Sequence, residues 1–408
     1  MQLTSSEGEW ARGWRLVAAS FIGVTIINLH SATIGMLVQP LHAAFGWSRA
    51  QASSSILIIT MVMFVSLPFI GLLLRRFDPW RLANGGLLLF CVTLVGVGFS
   101  GPSVWTWYLA WAFVGVAYSA GSTLVWTTLI SRNFTRQRGL ALSVTVSGLA
   151  LSTFVTSLAG GYVLERFGWR WVYFGLSGLG LVLLLVMNLV RGKTPTAPPH
   201  MQDEAVTHAD RAEVRAVLTS WRYWRFVLAL ILTSLGLSVI FYHFQAMLKD
   251  GGLTTMQAAG FASLAGPGVL IGRLGGGFLL DRLPPRLMGV VFFALPAVPA
   301  LMLVDYGGSL PLAAVSAVVV GATLGVEGDV SAYLTSRYFG VRNYSVAFGV
   351  MSSFSAIMFG VGPVLAGAVF DVFGSYRPML QILAVGLVLS GALVASLGRA
   401  PPLTHPEE

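Results

Sequence analysis

The sequence is poor in charge. Of 408 residues only 10% are Asp, Glu, Lys or Arg, while 55% are hydrophobic. A soluble domain carries about 25% charged residues, so a soluble fold is excluded. There is one cysteine, Cys91, and a single thiol rules out an internal disulfide. No nucleophile–base pair, metal-ligand cluster or cofactor motif occurs, and the glycines at 275–277 are not followed by the Gly-Lys-Ser/Thr of a phosphate loop. No cofactor and no metal are therefore expected, and an enzyme is disfavoured. No segment is long enough for a soluble signalling domain, which disfavours a sensor. The first apolar run, about 15–45, is too long for a signal peptide and ends without an A-x-A cleavage site, so it reads as a retained helix. The weak alternation of a transmembrane barrel is also missing.

What the chain does have is apolar runs of the length a spanning helix needs. Twelve spans are expected, at 15–40, 51–74, 81–101, 105–131, 139–165, 170–190, 223–248, 256–280, 287–304, 310–336, 344–370 and 377–398. The formal net charge of +9 invites a nucleic-acid reading, but its distribution argues against one. With an even number of spans both termini share a side, and 19 of the 25 Lys and Arg fall in loops on that side. Only Arg49, Arg166, Arg170, Lys249 and Arg377 lie opposite, and Arg273 lies within a span. Positive charge gathers on the cytoplasmic side of membrane proteins, so a multi-pass protein of the cell membrane (inner or plasma) with both termini cytoplasmic is expected, and nucleic acid is not a partner. A monomer surrounded by membrane lipid is the expected assembly.

The longest loop, 191–222, contains TPTAPPH and then Val214, Val217, Leu218 and Trp221 at i, i+3, i+4 and i+7. That spacing predicts a short amphipathic helix on the membrane interface. The loop divides two similar halves. GLLLRRFDPWRL at 71–82 resembles GFLLDRLPPRL at 277–287, SRNF at 131–134 resembles SRYF at 336–339, and GYVLERFG at 161–168 resembles GAVFDVFG at 367–374. The offsets are 206, 205 and 206 residues. Such internal repeats mark secondary transporters, with the substrate site where the halves meet. The expected organisation is a six-helix bundle over 1–190, a linker over 191–222 and a second six-helix bundle over 223–408.

The twelve-span layout, the long central loop and the repeated Gly-x-x-x-Asp-Arg segment resemble the major facilitator superfamily over essentially the whole chain. The resemblance implies an all-α fold of two six-helix bundles related by a pseudo-two-fold axis. The segment after span 8 fits best, with Gly277, Asp281, Arg282 and Arg286; after span 2, Gly71 and Arg76 match, but Arg75 replaces the expected acid. Asp281, Arg282 and Arg76 are thereby expected to gate the conformational change. FGWRWVYF at 167–174 is also typical of the superfamily. Drug-export proton antiporters carry a Gly-Pro signature in span 5, and here span 5 has no proline; Gly362-Pro363 lies in span 11 instead.

Ionisable residues inside spans need an account, since one at mid-membrane costs about 2.5–3.5 kcal/mol on insertion scales. They are His30, His243, Arg273, Glu327 and Asp329. Counting from Asp281, Arg273 lies roughly 12 Å into the membrane at about 1.5 Å per residue; counting from Arg337, Glu327 lies roughly 15 Å deep and Asp329 about 12 Å. The arginine and the two acids share a depth. The acids are about 200° apart around the helix, so one, Glu327 before Asp329, is expected to face a cavity, and the other to face a neighbouring helix or Arg273. A purely structural ion pair between spans 8 and 10 is the alternative.

GPGVLIGRLGGGFLLDR at 266–282 resembles the corresponding helix of monocarboxylate transporters and oxalate:formate antiporters. That resemblance implies that Arg273 binds a substrate carboxylate, and guanidinium offers the matching bidentate fork. EGEW at 7–10 is similar to the acidic-Gly-x-Trp start of monocarboxylate transporters. One turn before Arg273 those transporters often carry an aspartate where this chain has Val269, so Glu327 or Asp329 is assigned proton handling. Span 11 has no Lys or Arg, which suits one carboxylate better than two. His30 in span 1 and Tyr118 in span 4 are candidate substrate contacts. His243, in FYHFQ near the end of span 7, reads as part of an interfacial aromatic patch. The expected function is proton-coupled transport of a small organic monocarboxylate by alternating access. The alternative is an exporter of cationic or amphipathic compounds with Glu327 as the cation's partner.

Overall fold

The computed structural model describes residues 6–191, 211–280, 282–340 and 343–398, and among these every regular element is an α-helix. Eleven helical stretches are long and apolar enough to cross a bilayer. They are spans 2 to 12: Arg49–Leu74, Pro79–Gly98, Val104–Asn133, Arg138–Phe167, Trp169–Arg191, Trp221–Asp250, Thr255–Leu280, Pro285–Val304, Leu310–Phe339, Val346–Phe373 and Arg377–Ala395. Each overlaps a span expected from hydropathy.

Span 1 is the correction. The sequence suggests one helix over 15–40, but the chain forms Ser6–Ile27 and Thr33–Phe45 with a turn between them. Polar side chains that bond the local backbone compete with the helix, and three of them cluster here. Asn28 Nδ2 donates to the Val24 carbonyl at 2.8 Å, Thr33 Oγ1 donates to the His30 carbonyl at 2.7 Å, and His30 Nδ1 lies 3.1 Å from the Ile27 carbonyl. From span 5, Thr156 Oγ1 donates to the Leu29 carbonyl at 3.0 Å. Backbone freed at membrane depth is thus satisfied by protein, as it must be. His30 sits inside this break.

Local sequence sets the span starts. Ser48 and Thr254 form capping boxes with Gln51 and Gln257, Ser220 caps span 7, and Asp78 precedes Pro79 at the start of span 3. These side chains satisfy amide groups that a helix start leaves open. The amphipathic segment is a helix over Arg211–Thr219, carrying Val214, Val217 and Leu218; Trp221 belongs instead to span 7, because Ser220 caps a new helix between them. Residues 192–210 of the linker lie outside the described residues.

Spans 1–6 enclose one continuous apolar core built on Trp107, Trp111, Trp126 and Tyr173, all fully buried. Spans 7–12 enclose two clusters at different depths, one around Leu237 and Leu387 and one around Phe226 and Met351. The two bundles meet mainly along span 2 against span 11, span 5 against span 8, and span 1 against span 7. We call the side bearing the chain ends the terminus face and the other the far face. The meeting points lie towards the far face. The hydrogen bonds that cross between the bundles lie there, at Gln39, Arg49, Ala50 and Ser53.

Candidate functional site: a cavity between the bundles and an ion pair beside it

A cavity of about 680 Å³ lies between the bundles. Span 2 supplies Ile56, Ile59, Thr60, Met63 and Phe64, and span 11 supplies Ser352, Ser353, Ala356 and Phe359. His30, Tyr118 and Tyr242 complete its wall. The His30 and Tyr118 rings are 5.1 Å apart, edge to face, and Tyr118 is within 3.5 Å of Asn28 Oδ1. The structure therefore brings together two of the sequence-derived contacts, His30 and Tyr118. It adds Tyr242, which sequence reasoning passed over as a neighbour of His243. The cavity wall is largely apolar, with its hydrogen-bonding groups on the aromatic side, on span 11 and at Thr60 of span 2.

Arg273, Glu327 and Asp329 do not line this cavity. They stand beside it in the second bundle, held by one helix pair. Gly268, Gly272 and Gly276 recur every four residues on span 8, and Gly321 and Gly325 do so on span 10. A side chain at Gly272 would run into the Ala322 carbonyl, and one at Gly325 into the Val269 carbonyl. Small residues at this spacing let two helices touch backbone to backbone. The close approach fixes the register of the two spans and sets Arg273 opposite Asp329. Arg273 Nη2 lies 3.6 Å from Asp329 Oδ1, with side-chain exposures of 18% and 43%. That is longer than the 2.7–2.9 Å typical of a charge-assisted hydrogen bond. The buried Nε of Arg273 has no hydrogen-bond partner.

Glu327 points elsewhere. Ser234 Oγ of span 7 donates to Glu327 Oε1 at 2.7 Å. With that proton committed, Ser355 Oγ of span 11 is the donor in the 2.7 Å contact to Ser234. No cation pairs with Glu327 among the described residues. Ser355 itself is not part of the cavity wall, which span 11 forms with Ser352, Ser353, Ala356 and Phe359. Of the gating candidates, Arg76 is exposed, and Arg282 is exposed with its guanidinium 3.7 Å over the Phe278 ring. Asp281 lies outside the described residues.

His243 corrects the sequence reading. It is fully buried rather than part of an interfacial aromatic patch. Nδ1 lies 2.7 Å from the Tyr376 hydroxyl, and Nε2 lies 2.9 Å from the Pro363 carbonyl and 3.1 Å from Ser53 Oγ of the other bundle. Around it Arg49 of span 2 holds Asp250 of span 7 through both nitrogens at 2.6 and 3.0 Å, and donates to Tyr376 at 2.9 Å. The backbone amides of Arg49 and Ala50 donate to Asp371 of span 11 at 2.8 and 3.0 Å. Gln39 of span 1 donates to Asp250 at 2.7 Å. This network seals the far face.

The acidic start at 7–10 has a concrete use. Glu9 accepts from the Thr135 hydroxyl at 2.7 Å and from the amides of Thr135, Arg136 and Gln137 at 3.2–3.3 Å. Trp10 packs edge to face on Phe134 at 5.6 Å. Together they fasten the beginning of span 1 to the loop before span 5.

A chain of twelve spans in two bundles, sealed on one face and hollow towards the other, is built as a transporter. The family model described as Major Facilitator Superfamily matches residues 19–358, and the chain belongs to that family. It is similar to Monocarboxylate transporter 13 of Bos taurus, 23% identical over 395 residues covering 96% of this chain and 90% of that protein. It is similar also to Monocarboxylate transporter 4 of Rattus norvegicus, at 23% over 100% and 88%, and to Monocarboxylate transporter 2 of Homo sapiens, at 24% over 91% and 82%. Among solved structures it resembles a bacterial homolog of the human lysosomal transporter Spinster in an inward-facing, unoccupied conformation. The TM-score is 0.68 at 17% identity, covering 95% of this chain and 94% of that one. The protein is thus a multi-pass membrane transporter of the secondary type.

Proposed function

We propose that this protein carries a small organic monocarboxylate together with a proton, and that Arg273 anchors the carboxylate. The observation that carries the reading is the incomplete coordination of Arg273, with one distant acid at 3.6 Å and a buried Nε without a partner. A guanidinium at this depth is costly, and it keeps N–H groups that a carboxylate can fill two at a time. Asp329 stands where that carboxylate would stand. When Asp329 takes up a proton it loses its hold on Arg273, so proton and substrate anion enter together. Glu327, linked through Ser234 to Ser355 of span 11, is a second proton-handling group. His30 and Tyr118 hydrogen-bond the substrate, and the apolar wall of span 2 takes its body. Arg273 and Asp329 turn towards the cavity when spans 8 and 10, locked by their glycines, move as one.

In this reading residues 1–190 and 223–408 are the moving units, 191–222 links them, and Arg76, Asp281 and Arg282 gate the terminus face. Both termini lie in the cytoplasm and the protein works as a monomer in the cell membrane. The monocarboxylate transporters among its relatives support the substrate class. The uncharged cavity and the unpaired Glu327 favour a second reading, export of an amphipathic cation.

The test is uptake into proteoliposomes beside thermal-shift titration with small carboxylates, for the parent and Arg273→Lys. A hydrogen bond to a charged group is worth about 1.5–3 kcal/mol, so affinity should fall roughly 10- to 100-fold in the variant. Uptake that survives Arg273→Ala at normal membrane levels removes the carboxylate assignment. Stabilisation by organic cations, lost in Glu327→Gln, supports the second reading.

A further inference from the structure

The transport reading leaves the buried imidazole of His243 unused. Its hydrogen bonds define its state. A carbonyl oxygen only accepts, so Nε2 carries the hydrogen towards Pro363. Nδ1 is then an acceptor, and the Tyr376 hydroxyl donates to it at 2.7 Å. With its hydrogen so used, Tyr376 presents a lone pair to Arg49 Nη1 at 2.9 Å. The chain of donors runs from Arg49 through Tyr376 and His243 to Pro363, and it holds only while the imidazole is neutral. The same arginine grips Asp250 and covers the Phe370 ring at 3.3 Å.

A proton on Nδ1 reverses this polarity. Nδ1 becomes a donor, and the Tyr376 hydroxyl must turn its own hydrogen away from the ring in order to accept. The charge balance also changes. Arg49 on span 2 and Lys249 on span 7 are offset by Asp250 on span 7 and Asp371 on span 11; Ser53 and Tyr376 face the ring as neutral groups. An added proton is therefore surplus positive charge, one hydroxyl away from Arg49. Buried charge without a partner is expensive, and parting of the bundles relieves it by admitting water. The proton has a route, because a cavity of about 600 Å³ on the far face is lined by Asp250 and Tyr376.

We propose that His243 is a proton-binding site that controls the far-face seal: neutral, it closes the seal; protonated from the far face, it releases it. This rests on alternating access between the two faces and not on the identity of the substrate.

The experiment reads the seal directly and without substrate. Spin labels are placed at Ser103 and Ser309, one per bundle on the far-face rim, where neither side chain makes a helix-capping bond. Cys91 is buried and leaves little background. The inter-label distance is measured by double electron–electron resonance in nanodiscs from about pH 8 to about pH 5, the range over which a histidine changes charge. The parent should show one short distance at high pH and a growing longer one on acidification. If proton affinity differs by one unit between the two conformations, the ratio changes about tenfold. His243→Gln, which keeps hydrogen bonding without gaining charge, should stay at the short distance throughout. Tyr376→Phe, which keeps the ring and removes the link to Arg49, should flatten the response. A parent distance that ignores pH overturns the proposal, as does a full response in either His243→Gln or Tyr376→Phe. Failure of the carboxylate assignment at Arg273 would leave this result unchanged.

Discussion

The two six-helix halves share an architecture and are filled by different means. The first is packed with aromatic rings: Trp107 meets Trp111 at 5.6 Å and Tyr173 at 6.0 Å, and all three are fully buried. The second has aromatic contacts as well, Phe226 meeting Phe293 at 5.7 Å and Phe339 at 6.1 Å, but it also joins two of its spans through small residues. Its apolar core is divided into two clusters, and spans 8 and 10 touch through glycine. Intramembrane Arg273, Glu327, Asp329 and His243 all belong to the second half. Large rings fill volume with few rotamers and make a stiff body. Small residues bring backbones together and leave room for hydroxyls, carboxylates and a guanidinium. The comparison places the intramembrane acids and Arg273 in the second half, while the first supplies His30 and Tyr118 to the cavity wall.

The comparison can be broken by removing what fills each half. Trp107→Ala should be the most damaging change, costing about 3–5 kcal/mol as expected for a buried tryptophan, and it should appear as a large fall in the thermal unfolding midpoint. Gly272→Val attacks the other means of packing. Its side chain would meet the Ala322 main chain, which cannot swing away as a rotamer can, so the cost should sit at or above the 1–3 kcal/mol of ordinary overpacking. Gly275→Ala is the control, since nothing lies within 4 Å of its added carbon, and it should unfold like the parent. If Gly272→Val is equally harmless, spans 8 and 10 are not joined as described.

Of the damaging changes, Glu9→Ala should have the smallest effect. It removes acceptors from the loop before span 5 and should cost about 0.5–2 kcal/mol, like the loss of a helix cap. The bond from the Thr135 hydroxyl, helped by the amides of Gln137, Arg136 and Thr135, lowers the Glu9 carboxyl below its ordinary value of 4.5 against a partial opposing effect of burial. A folded value below the unfolded one means that the stabilisation is present above about 4.5 and is lost as pH falls through the folded value. Parent and variant should therefore differ in midpoint at neutral pH and converge in acid.

Much of this was legible in the sequence because it is local or periodic. Hydropathy located the spans, the 206-residue offset revealed two halves, and helical rise placed Arg273 level with Asp329. The 200° separation of the acids anticipated that they would face apart. The break at residues 28–32 was also written locally, as Asn28, Ser31 and Thr33 clustered around His30, but apolar length masked it. The far-face seal was hidden for a different reason. His243 reaches Tyr376, Pro363 and Ser53 across 133, 120 and 190 residues, and no spacing rule connects them. The cavity partner Tyr242 was missed likewise, since its role follows from which face of span 7 meets the other bundle.

Asp371 supplies acceptors to the first two amides of span 2, Ser48 serves the third, and its carbonyl serves Ala52. A helix in one half thus borrows part of its ending from the other. When the halves separate, two amides are stripped of their acceptor at once, and only solvent is at hand to replace it. Opening is in that sense a hydration reaction with a definite stoichiometry. Its equilibrium should fall when water activity is lowered by an excluded osmolyte, while the binding of a ligand to the closed form should not.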